Sequence, residues 1–94
     1  MNRMDMEKKI HSLLIDNEKD QAELVFNQWA QQNDEPITGI IWWGNLCMKN
    51  QFWGKAINAF QRVLELDEQN REARVHLEMV NAVLAYTHTD SYNP

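Results

Sequence analysis

The sequence predicts an all-α fold of five helices, arranged as two helical hairpins and a final helix. Three observations predict it. Apolar residues recur at spacings of three and four along five stretches. The stretches are joined by only two to five residues, which makes consecutive helices antiparallel neighbours. The second hairpin also repeats the first at an offset of 34 residues, while no alternating run marks a strand.

Met6, Ile10, Leu13 and Leu14 give helix one its apolar face from Met4 to about Ile15, with Glu7, Lys8 and Ser12 on the wet side. Asp16-Asn17 breaks it, and Asn17 is expected to cap helix two, whose first turn holds Glu18 and Asp20 where the helix dipole favours negative charge. Ala22, Val25, Phe26, Trp29 and Ala30 carry helix two to about Gln32. Asn33-Asp34-Glu35-Pro36 is the next boundary, because proline restricts its predecessor and suits a first helical turn. Helix three then runs to about Lys49 on Ile40, Trp43, Gly44 and Cys47. Asn50-Gln51 turns the chain into helix four, Phe52 to Leu66, with Trp53, Ala56, Phe60, Val63 and Leu64 as its stripe. It stops at Asp67-Glu68-Gln69-Asn70, where Asn70 can cap helix five, Arg71 to about Tyr86. Residues 87–94 have no period and read as a tail.

Ninety-four residues make one domain, 1–94, and a chain this short hides only about 60–65% of its unfolded surface, so a dense core is needed. Four Trp, three Phe and a hydrophobic content of 44% can supply it. A net charge of -5 and a pI near 5.0 oppose the phosphate attraction behind nucleic-acid binding, so no nucleic-acid partner is expected. Cys47 is the one cysteine; it excludes an intrachain disulfide, reads as a buried inert thiol, and fits a reducing cytoplasm. The charged first nine residues form no export signal, and the longest apolar run, around Ile40 to Trp43, is far short of the roughly 20 residues that span a bilayer. The chain is therefore expected in the cytoplasm, with no membrane partner.

Catalytic readings find little support. His11, His76 and His88 are scattered, and Glu72 and His76, which share a helical face, are expected to form a surface ion pair before half a metal site. No phosphate loop, nucleophile elbow or HExxH helix occurs, and the acidic residues are spread out instead of clustered as in a calcium loop. No enzyme activity, cofactor or metal is expected.

At the 34-residue offset Ala22 meets Ala56 and Phe26 meets Phe60. Leu13 pairs with Cys47, Leu14 with Met48, Trp29 with Val63 and Met6 with Ile40, all apolar to apolar. The two identities fall where close helix packing demands a small residue and a ring. With Trp43-Gly44 in the first helix, Ala56 and Phe60 in the second, and the ending VLELDEQN, segment 37–70 resembles a tetratricopeptide repeat. Trp53 stands where that family usually has tyrosine. Cys47 departs from a usual tyrosine, Gln51 from the usual turn glycine, and Glu68 from the usual proline. Segment 3–34 is similar to a degenerate copy, with Ile10 in place of the glycine, and 71–86 to a terminal capping helix. The tail looks like endings of small free-standing bacterial members, which implies a complete protein.

The resemblance implies a right-handed α-α superhelix and a non-enzymatic adaptor that binds a peptide or helix of another protein in a concave groove. The groove positions carried over are Glu7, His11, Leu14 and Ile15, then Ile41, Asn45, Met48 and Lys49, then Glu72, Val75, Met79, Ala82 and Val83. Ile41, Met48 and Val75 either face a ligand or pack helix three against helix five. No dicarboxylate clamp of the cochaperone kind is expected, since Glu7, His11, Trp42, Glu72 and His76 fall at or near its places. Trp42 lies about 100° from Trp43 around the helix and cannot share its core role. It is either an anchor at the groove edge or a structural cover for a neighbouring helix. Helix five carries one apolar stripe, Ala73, Leu77, Val80 and Leu84, and a second, Val75, Met79, Val83 and Tyr86, nearly opposite it. Self-association through the second stripe, as a homodimer, is the alternative function.

Overall fold

The 34-residue period is written into the backbone. The computed structural model describes residues 1–87, and five helices run through them: α1 (Arg3–Ile15), α2 (Lys19–Gln32), α3 (Ile37–Lys49), α4 (Trp53–Leu66) and α5 (Arg71–Thr87). The fold is all-α. Both ends of α3 lie 34 residues beyond those of α1, and both ends of α4 lie 34 beyond those of α2. Helix α5 begins one further period after α3 and runs one residue past its expected end; the rest of the expected tail, 88–94, lies outside the described residues.

The two turns inside the hairpins are the same structure. In the first, the Asn17 N–H donates to the Leu14 carbonyl at 3.1 Å and the Glu18 N–H to the Leu13 carbonyl at 2.8 Å. In the second, the Gln51 N–H donates to Met48 at 3.0 Å and the Phe52 N–H to Cys47 at 2.8 Å. This is a Schellman closure, which holds the residue after the cap in the left-handed region: Asn17 has φ 63° and Gln51 φ 62°. Asn17 therefore does not cap α2 as expected. It ends α1, and Glu18 takes the N-cap place without a side-chain bond. Asparagine tolerates this conformation, whereas glutamine gains nothing from its side chain there. Gln51→Gly should raise unfolding free energy by about 0.5–1 kcal/mol. A chemical-denaturation midpoint at or below that of the parent would refute this.

The chain divides into two units, Met1–Gly39 and Ile40–Pro94, so the boundary falls inside the first turn of α3. In the first unit α1 and α2 pack side by side on Met6, Ile10, Ala22, Phe26, Trp29 and Ala30, all buried. The Phe26 and Trp29 rings lie 6.0 Å apart, tilted by 43°. Asn2 caps α1 by accepting from the Asp5 N–H at 2.8 Å. Arg3 pairs with Glu7 at 2.8 Å and donates to Thr38 Oγ1 at 3.4 Å, linking the first turn of α3 to α1. Gly39 also belongs with this unit: a Cβ on it would stand 2.7 Å from Trp29 Cζ3.

The second unit is built around Phe60. Its side chain is fully buried, and a Cβ on Gly44 of α3 would stand 2.8 Å from both its Cε1 and Cζ. The bare backbone of Gly44 is what lets the ring lie against α3. Ile40, Ile41, Trp43, Cys47, Ala56, Ala59, Val63, Ala73 and Val80 are the other buried apolar residues described in this unit, so Cys47 is a buried thiol. Helices α4 and α5 pack together, and Asn70 caps α5 as expected, accepting from the Ala73 N–H at 2.9 Å.

Candidate functional site

Helix α5 places the most exposed apolar surface of the second unit. The helix is rotated so that Ala73 and Val80 enter the core, with Leu77 and Leu84 half-buried beside them. That rotation turns the other stripe outward. Val75 is 44% exposed, Met79 49% and Tyr86 87%, with Val83 half-buried. Residues 75, 79, 83 and 86 follow helical spacing, so they form one continuous apolar strip along α5.

On α3, the groove positions separate by burial. Ile41 is only 8% exposed and belongs to the core; Met48 and Trp42 are half-buried, and Asn45 is exposed. Asn45 can therefore donate to and accept from a ligand backbone, and Trp42 and Met48 offer partial apolar surface on the same helix. In the first unit, Leu14 is half-buried and Ile15 is 85% exposed at the end of α1.

His76 departs from expectation. Glu72 and His76 form no ion pair among the described residues; the imidazole stands edge-on to Phe60, 5.2 Å between ring centres and 63° between planes. It packs against the core ring, and its Nδ1 is buried without a partner. Among the described residues no three His, Cys, Asp or Glu side chains converge as metal ligands, and no helix is long and apolar enough to cross a membrane. The chain matches no protein-family model, no curated protein and no solved structure.

Proposed function

We propose that this chain is a tetratricopeptide-like adaptor that binds a peptide or helix of another protein on its second unit, without chemistry of its own. The observation that supports this best is the outward stripe of α5, with Val75 44% and Met79 49% exposed on a helix whose opposite face is buried. The opposite face of α5 already fills the core of the second unit, so the second stripe is surplus to that core. The family reading is supported by helix bounds and Schellman turns that recur every 34 residues. Met79 and Val75 supply apolar contact, and Asn45 sets register by hydrogen bonding to the ligand backbone. A buried thiol at Cys47 suits a reducing cytoplasm.

The test begins by capturing the partner from a lysate with the full chain and identifying it by mass spectrometry. Met79→Glu should then weaken binding at least tenfold in calorimetry, because a charge would be buried at the contact. Its thermal melt should match the parent's. Asn45→Ala should cost about 1–3 kcal/mol of binding if it leaves a ligand backbone group unpaired. Parental affinity in both variants would remove this surface from consideration. The same stripe also fits a second copy of the chain. A dimer by light scattering at micromolar concentration that Met79→Glu dissociates would assign it to self-association instead.

A further inference from the structure

We propose that the outward strip of α5 is self-complementary, and that a second copy of the chain docks on it with the two α5 helices side by side and antiparallel. The inference rests on reading that strip as a docking surface and names its occupant. Val75, Met79, Ala82 and Tyr86 are all exposed, and they are spaced four, three and four residues apart. That is the spacing of a two-helix seam and not the two-residue repeat of an extended strand, so the matching surface is another helix.

The order of sizes sets the direction. A two-fold axis midway along the strip, between Val80 and Asn81, brings each Met79 opposite Ala82 of the other copy and each Val75 opposite Tyr86. Every layer then holds one larger and one smaller side chain, as close packing requires. A parallel pair would instead crowd Tyr86 against Tyr86, leave a gap between two alanines, and bring Glu72, next in the same spacing, against its own copy. It would also align the two helix dipoles unfavourably. Charge agrees with the antiparallel arrangement, since Glu78 is the only Asp, Glu, Lys or Arg between Val75 and Thr87. There Glu78 flanks Ala85 of the other copy, half-buried His76 flanks Val83, and the two Glu72 side chains stand about 25 Å apart along the axis. No like charges meet.

The contact is small. Four side chains along one helix cover well under the roughly 800 Å² per partner of a stable complex, so the pair is dissociable, with monomers at about 10 µM and dimers toward about 1 mM. A helix of another protein that matches the strip better displaces the second copy.

Sedimentation equilibrium of the full chain tests this, since the mass should rise from one copy at about 10 µM toward two at about 1 mM. Met79→Glu should stay monomeric throughout, with the parent's thermal melt. Ala82→Met and Met79→Ala should each weaken pairing by about threefold or more, the first by crowding and the second by leaving a gap. Both together should restore it to within about twofold, because the register sets the two positions opposite each other. Direction is read by mixing Glu78→Cys chains with Ala85→Cys chains and joining them with a short bis-maleimide; buried Cys47 does not compete. The mixed product should form ahead of either self-product, whereas Glu78→Cys with Val83→Cys, neighbours only in a parallel pair, should show no such preference. A chain still monomeric at about 1 mM overturns the proposal, as does a dimer that Met79→Glu leaves intact, a size swap that restores nothing, or preferred linking of positions 78 and 83. If the chain stays monomeric while Met79→Glu still weakens binding of the captured partner, this inference alone fails. If the dimer behaves as expected while Met79→Glu keeps parental affinity for that partner, the adaptor reading alone fails.

Discussion

Phe60→Ala should lower the unfolding free energy by about 3–5 kcal/mol, the largest single effect expected in this chain. The ring is fully buried, it is met by the bare backbone of Gly44 on α3, and the His76 imidazole stands edge-on to it from α5. One side chain on α4 therefore holds three helices, and its loss leaves a cavity that none of them can close alone. For a domain of this length total stability is roughly 5–14 kcal/mol, so the variant would retain little margin at body temperature. The urea midpoint should fall by about 2 M or more. A midpoint within error of the parent's would show that the ring carries no packing.

Gly44→Val should destabilise by about 2–3 kcal/mol through the opposite fault, overfilling. The new Cβ would stand 2.8 Å from two Phe60 ring atoms, and valine adds two methyl groups beyond it. Valine is a better helix former than glycine by a few tenths of a kcal/mol, too little to offset the clash. Pairing Gly44→Ala with Phe60→Leu checks the cause, because the smaller side chain vacates the space the methyl needs. The pair should be less destabilising than the sum of the single changes by about 0.5–3 kcal/mol in urea denaturation. Strict additivity, with Gly44→Val as stable as the parent, would mean that α3 and Phe60 do not meet.

Helix boundaries were legible within a residue or two because they depend on short-range rules. Asn70 caps α5 as its position suggested, α3 starts directly after Pro36, and the apolar stripes of α2 to α4 go inward. The two apolar stripes of α5 were legible too, but not that the one with Val75 and Met79 stays outward, which burial alone decides. The hairpin turns were less so. Asn17 has the chemistry of an N-cap and of a left-handed C-terminal residue, and the choice is made by the Leu13 and Leu14 carbonyls that need donors. At Gln51 the missing glycine drew attention, but not the fact that glutamine would take the glycine conformation unaided.

The amino-acid order by itself determined the all-α class, the five helices and which stripe of each helix is apolar, because each follows from residues within a few turns of one another; the 34-residue period follows from setting those stretches side by side. Only the tertiary structure decided what lies beside each stripe. Ile41 shares a face with exposed Asn45 yet is buried, and His76 turns to Phe60 instead of Glu72. Gly39 is set against Trp29, and Lys9, Gln28, Trp29 and Gln32 line one pocket although they come from two helices. Periodicity sets the angle of a side chain about its own helix axis. Whether that direction meets a ring, a backbone or water depends on another part of the chain, and no local pattern records that.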